Sequence, residues 1–145
     1  MANIELMNIA NIEILHEPDE YSGVFYAYYG KTRLGLLSYV YQDDGSVWLS
    51  DIWVHKEVDI SGSGQSIQTI GKGIGNRLLY AFLEECANKS VNMIFGNVVR
   101  TDEEQGFLKD WYMRNGFSIA APGTAGNSST NNVPALYQVI RKLSA

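Results

Sequence analysis

A glycine-spaced run, Gly71-Lys72-Gly73-Ile74-Gly75-Asn76, stands directly before Arg77-Leu78-Leu79-Tyr80-Ala81-Phe82-Leu83. Leu78, Leu79, Phe82, Leu83 and Cys86 recur at one helical face, so the spacing predicts a helix over 76–89, closed by Asn88-Lys89-Ser90. The first amides of a helix lack partners within it and carry its positive dipole end. Backbone brought close through glycine can therefore cradle a phosphate. Two familiar phosphate motifs fail on spacing. A dinucleotide fingerprint starting at Gly71 needs glycine where Asn76 stands, and no strand feeds directly into the turn. A Walker A loop ending at Gly71-Lys72 needs glycine at Ser66 and Ser or Thr at Gly73.

Upstream of this turn the chain reads as strands. Val24–Tyr29 and Leu34–Tyr41 are rich in β-branched and aromatic residues and are separated by Gly30-Lys31-Thr32. Asp43-Asp44-Gly45 leads into Val47–Val54, which completes an antiparallel meander, and Ile12–Leu15 is a candidate first strand. Downstream, Val91–Val99 reads as a buried strand and 103–114 as a second helix stopped by Asn115-Gly116. Phe117–Ile119 and Leu136–Ile140 are the last strands. The small polar stretch Ala121–Asn132 between them lacks the apolar content to pack and is expected to be a mobile loop.

The glycine turn, the strand before it and Trp111-Tyr112-Met113-Arg114-Asn115-Gly116-Phe117 together resemble the GCN5-related N-acetyltransferase (GNAT) superfamily. The matching positions are Ile52 and Val54 on the strand, Gly73 and Gly75 in the loop, and Trp111, Tyr112, Gly116 and Phe117 in the later motif. The resemblance covers roughly 47–119 well. It implies a single 1–145 domain of α/β class with the acyl-CoA N-acyltransferase fold, a mixed, mostly antiparallel central sheet flanked by helices. The chain departs from the family pattern in four places. Ile70 stands where Gln or Arg is usual, and Gln105 stands where Asn commonly precedes the motif tyrosine by seven residues. The link from His55 to Ile70 is longer than usual and predicts an inserted loop. The two helices that commonly follow the first strand are replaced by the short Glu17–Gly23 segment, which reduces that side of the acceptor site to a loop.

For chemistry, the resemblance implies acetyl-CoA as co-substrate and direct attack by an amine on its thioester in a ternary complex, with no metal. Backbone of Ile70, Gly71, Lys72, Gly73, Ile74, Gly75 and Asn76 would meet the pyrophosphate, and Ile52, Trp53 and Val54 the pantetheine arm. Gln105 and Tyr112 would complete the donor site. Tyr112 is also the candidate general acid, since a phenol of pKa ~10 donates to a thiolate of pKa ~8.5 only modestly uphill. An amine of pKa ~10.4 must lose a proton before attack, and Asp51 or Glu57 is placed to take it. The plainer readings are an ordinary glycine turn, a packed tyrosine among nine, and two solvated acids. His55 is a lone loop histidine, and Cys86 on the apolar helix face has no cation beside it to make a thiolate.

The chain's 145 residues suffice for one core, which buries about 70% of the unfolded surface. A formal net charge of −5 and the absence of any Lys/Arg cluster argue against nucleic acid and favour a cationic partner such as a small-molecule or peptide amine. No apolar run reaches the ~18 residues of a membrane span. Met1–Leu6 lacks the marks of a signal peptide and Cys86 has no internal partner, so a cytoplasmic protein is expected, and a homodimer is compatible with it. The rival from another class is a non-catalytic acyl-CoA-binding or sensing module of the same fold. A structural domain without ligand leaves the glycine turn unexplained.

Overall fold

The computed structural model describes residues 11–59, 66–69, 73–99, 108–126, 129–130 and 133–143. The strands are β1 (Ile12–Pro18), β2 (Ser22–Tyr29), β3 (Thr32–Tyr41), β4 (Ser46–Val54), β5 (Glu57–Asp59), β6 (Ser66–Gln68), β7 (Met93–Val98), β8 (Ser118–Ala120), β9 (Ser129–Thr130), β10 (Val133–Pro134) and β11 (Tyr137–Lys142). The helices are α1 (Ile74–Asn88) and α2 (Leu108–Arg114). Seven strands form one sheet in the order β1-β2-β3-β4-β7-β11-β8, and the pairs β5/β6 and β9/β10 form two small ribbons.

Short turns make β1 to β4 a meander. The N–H of Asp19 donates to the Ser22 carbonyl at 2.7 Å, so β1 turns back on β2 with no room for a helix between them. That tight turn agrees with the expected loss of the helices at Glu17–Gly23. β4 and β7 pair in parallel, with Ser46–Leu49 opposite Met93–Gly96. Parallel neighbours need a long return path, and α1 supplies it. β11 then runs antiparallel to both β7 and β8.

The chain divides into two compact units, one drawn from 1–38 and 51–86 and the other from 39–50 and 87–145. In the first, α1 buries Ile74, Leu78, Leu79, Phe82 and Cys86, the face its sequence period laid out. Phe82 meets the Phe25 ring edge-on, with centroids 6.5 Å apart. Each such fully buried aliphatic or aromatic side chain contributes about 1.5–3 kcal/mol. In the second unit, Ile94, Val98 and Val139 are buried in the sheet, and Tyr112 and Phe117 are buried beside it. The Tyr112 and Phe117 rings pack edge to face at 5.3 Å.

Three elements differ from the sequence-based expectation. α1 begins at Ile74, two residues early, because helical bonding starts when Arg77 N–H donates to the Gly73 carbonyl at 3.0 Å. The 55–70 segment is not a plain loop. Its ends form the β5/β6 hairpin, in which Glu57, Val58 and Asp59 pair with Gln68, Ile67 and Ser66. Thr69 closes that hairpin, its N–H donating to the Lys56 carbonyl at 3.0 Å and its hydroxyl to the His55 carbonyl. The third difference is the Ala121–Asn132 stretch, which carries β9 and is pinned over Ala121–Gly126 in the manner described below. The helix predicted over 103–114 is seen from Leu108 onward, and its first part lies outside the described residues.

Candidate functional site

In the first unit the sequence-predicted donor residues lie on β4 and at the start of α1. Gly73 holds φ +74°, the left-handed region that a β-carbon disfavours, and it stands as the cap whose carbonyl takes the first helical bond. A side chain built at Gly73 would meet nothing within 4 Å, so backbone conformation rather than crowding demands the glycine. The amides of Ile74, Gly75 and Asn76 follow in the first turn, which holds no acidic residue to compete for an anion. Ile70, Gly71, Lys72 and Gln105 lie outside the described residues.

Along β4, Ile52, Trp53 and Val54 are half-buried and Asp51 is exposed. The parallel register with β7 covers only Ser46–Leu49 of this strand. The His55 N–H donates to the Leu34 carbonyl at 2.8 Å, and the His55 ring packs edge to face on Trp53 at 4.7 Å. Glu57 opens β5 as an exposed residue. The two candidate bases thus stand on solvent-facing positions. Cys86 is fully buried, and burial pushes its thiol up to about 12. It is a packing residue with no thiolate at neutral pH.

In the second unit, Tyr112 sits on α2 at 5% exposure, its ring packed edge to face against both Trp111 and Phe117. The helix ends in the predicted way. Gly116 has φ +86°, and the Asn115 carbonyl accepts from the Arg141 guanidinium at 2.5 Å. Lys109 Nζ lies 5.0 Å from the centre of the Tyr137 ring, which puts α2 over the sheet face that Tyr137 and Val139 share. A shallow cavity of about 420 Å³ is lined by Asp110, Met113 and Arg114, none of them a sequence-predicted site residue.

The other face of that sheet carries what the sequence reading missed. Gln138 is fully buried, and its amide clasps the backbone of Ala125: the Ala125 N–H donates to Oε1 at 2.8 Å, and Nε2 donates to the Ala125 carbonyl at 2.6 Å. The same Nε2 donates to Asn97 Oδ1 at 2.9 Å. Gly126 then lies on Phe95 so closely that a side chain there would overlap the ring. Ala121–Gly126 is therefore tied to the sheet by hydrogen bonds rather than apolar packing, which corrects the expectation of a mobile loop. A lone amide inside the apolar run Leu136–Ile140 was the available signal, since a buried polar side chain requires partners.

Among the described residues, no three or more His, Cys, Asp or Glu side chains are grouped to hold a metal ion. No described helix is long and apolar enough to cross a membrane.

No protein-family model and no curated protein matches this chain in sequence. Solved structures do match it in fold. A GNAT-family acetyltransferase from Staphylococcus aureus Mu50 superposes with a TM-score of 0.65 at 16% identity, covering 85% of this chain and 68% of that one. The PaiA N-acetyltransferase from Thermoplasma acidophilum, in complex with coenzyme A, gives 0.57 at 15% identity over 85% of this chain and 62% of its own. A GNAT-family acetyltransferase from Elizabethkingia anophelis with acetyl-CoA bound gives 0.59 at 15% identity over 92% of this chain and 99% of its own. The chain thus spans about two thirds of the length of the first two neighbours and nearly all of the third. With its seven-stranded, mostly antiparallel sheet and the α1 crossover between the parallel strands β4 and β7, it has the acyl-CoA N-acyltransferase fold of the GNAT-family acetyltransferases.

Proposed function

We propose that the protein is an acetyl-CoA-dependent N-acetyltransferase that acylates a primary amine. The observation that carries this reading is the start of α1. A left-handed glycine caps a fifteen-residue helix whose first turn holds no acid, in a fold whose solved members include coenzyme A and acetyl-CoA complexes. The pyrophosphate would lie on the amides of Gly73 to Asn76, supported by the neighbouring Gly71 and Lys72. The pantetheine arm would run along β4 beyond the parallel register, hydrogen-bonding the backbone of Ile52 to Val54.

The reaction then needs three proton transfers. Asp51 or Glu57 takes a proton from the ammonium, directly or through water. The neutral nitrogen adds to the thioester carbonyl, the C–S bond of the tetrahedral adduct breaks, the departing sulfur takes a proton from Tyr112, and the nitrogen gives up its second proton through water to restore the phenol. The products are the amide and free coenzyme A. Cys86 takes no part, since its thiol stays protonated and buried. The amine acceptor is what the resemblance to N-acetyltransferases implies, and the chain's net charge of −5 favours encounter with a cation.

A second reading, a binding module that holds acyl-CoA without turnover, is favoured by the 5% exposure of Tyr112, which fits a packing role. Titration of acetyl-CoA by calorimetry, followed by thiol release with a panel of amines, separates the two. Binding with amine-dependent release supports the enzyme, binding without release the module, and no binding removes both.

A further inference from the structure

The outgoing end of β4 rests on a place in β3 where no side chain stands. Along β3 the alternation breaks once: Arg33 is exposed, Leu34 and Gly35 are both buried, and Leu36 and Leu37 resume the pattern as half-buried and buried. Two successive inward residues mark a bulge in a paired strand. A β-carbon built at Gly35 would overlap the Trp53 carbonyl oxygen outright, and it would meet Val54 Cα at 2.9 Å and Val54 Cγ2 at 3.1 Å. Gly35 does not hold a positive φ, so space rather than backbone conformation selects the glycine.

Neighbouring strands lie side by side in the sheet plane at ~4.8 Å, with their side chains standing off that plane. A neighbour's carbonyl in the place of a β-carbon therefore means that β4 leaves the plane at Trp53 and rides over β3. One residue beyond Val54 the chain is tied down again, since the His55 N–H donates to the Leu34 carbonyl at 2.8 Å. Leu34 and Gly35 thus hold the end of β4 by two means, a hydrogen bond and the packing of main chain on main chain. These residues all belong to the first unit, together with Gly73 and the start of α1.

Trp53 and Val54 lie in the stretch whose backbone would carry the pantetheine arm. Carbon atoms in contact settle ~3.5–4.0 Å apart, so a methyl at position 35 would force Val54 Cα back by about 1 Å. A displacement of that size in a group that orients a reactant costs about 10²-fold. We infer that Gly35 is a positioning residue for the donor: its missing side chain seats the Trp53–Val54 backbone where the pantetheine arm is to be held, while the phosphates bind independently at the start of α1. This rests on the acetyltransferase reading above and adds to it a residue outside the glycine turn, β4 and the tyrosine motif.

The test sets acetyl-CoA against phosphoadenosine diphosphate, the part of coenzyme A that carries its phosphates and lacks the arm. Calorimetry gives both affinities for the native protein and for Gly35→Ala. The expected result is a loss of acetyl-CoA affinity of about tenfold or more in Gly35→Ala, with the affinity for the fragment within about twofold of native. A Gly35 that serves only the fold would lower both affinities alike or leave both unchanged, and either result overturns the proposal. His55→Pro and His55→Ala approach the same seat from its β4 side, because proline removes the N–H that Leu34 accepts and alanine keeps it. His55→Pro should reproduce the selective loss and His55→Ala should not, and this pair decides in its place if Gly35→Ala fails to fold. If neither Gly35→Ala nor His55→Pro folds, the seat belongs to the core and the positioning role is overturned. Native protein that binds acetyl-CoA but not the fragment also overturns it, because the phosphates then have no hold independent of the arm. Failure of the native protein to bind acetyl-CoA at all overturns the acetyltransferase reading itself.

Discussion

Gly73 joins two requirements in one residue, a left-handed backbone and the helix cap that aims the first amides of α1 outward. Gly73→Val strains that backbone by about 1–2 kcal/mol and puts a branched side chain in the space that the proposed pyrophosphate site would need. Calorimetry should show at least a tenfold loss of coenzyme A affinity, and Gly73→Asn, which tolerates the left-handed region, should show a smaller loss. Tyr112 separates packing from chemistry. Tyr112→Phe keeps the ring between Trp111 and Phe117, so its melting temperature should hold while turnover falls about 10²-fold. Tyr112→Ala should instead destabilise by about 3–5 kcal/mol. Cys86 gives a pH prediction. Its folded pKa, raised to about 12 by burial, exceeds an unfolded value near ~8.5, so the folded state holds the proton more tightly. The stability this contributes is complete below pH ~8.5 and is lost as pH rises toward 12. Denaturant titrations should show the stability gap between native protein and Cys86→Ala narrowing across that window.

At the scale of elements, periodicity decided what was legible. α1 was read within two residues because its apolar positions recur at one helical face, and the meander was read because short turns separate β-branched runs. The β5/β6 hairpin was missed, since three-residue strands carry too few positions to show alternation. Its geometry suggests removal as a unit, because Lys56 and Thr69 already meet at 3.0 Å across its base. Replacing 57–68 by two glycines should leave a cooperatively unfolding protein. Urea titration should place the loss within about 1–2 kcal/mol, and a collapse of the transition would show the hairpin to be part of the core. The Ala121–Gly126 loop teaches the opposite lesson. Composition alone spoke for mobility, and one buried amide from a distant strand overrides it.

For the molecule as a whole, net charge would set how the two substrates of the proposed reaction arrive. A net charge of −5 favours a cationic amine and disfavours the anionic phosphates of coenzyme A. Raising salt from low to physiological strength should therefore raise the KM of the amine and lower that of acetyl-CoA, both measured by initial-rate kinetics. Two equal responses would show that neither depends on the overall field. The sequence by itself determined the fold class, the order of the meander, the helix behind the glycine turn and the motif around Tyr112. Each depends on residues near in sequence, where period, turn chemistry and helix caps act directly. Only the tertiary structure decided that Gly73 takes its place through a left-handed backbone, that Tyr112 is packed between two rings, and that Gln138 joins Asn97 to Ala125. The last of these depends on residues far apart in the chain, 41 positions for Gln138 and Asn97, and such a pairing arises only when the strands carrying it are brought into register.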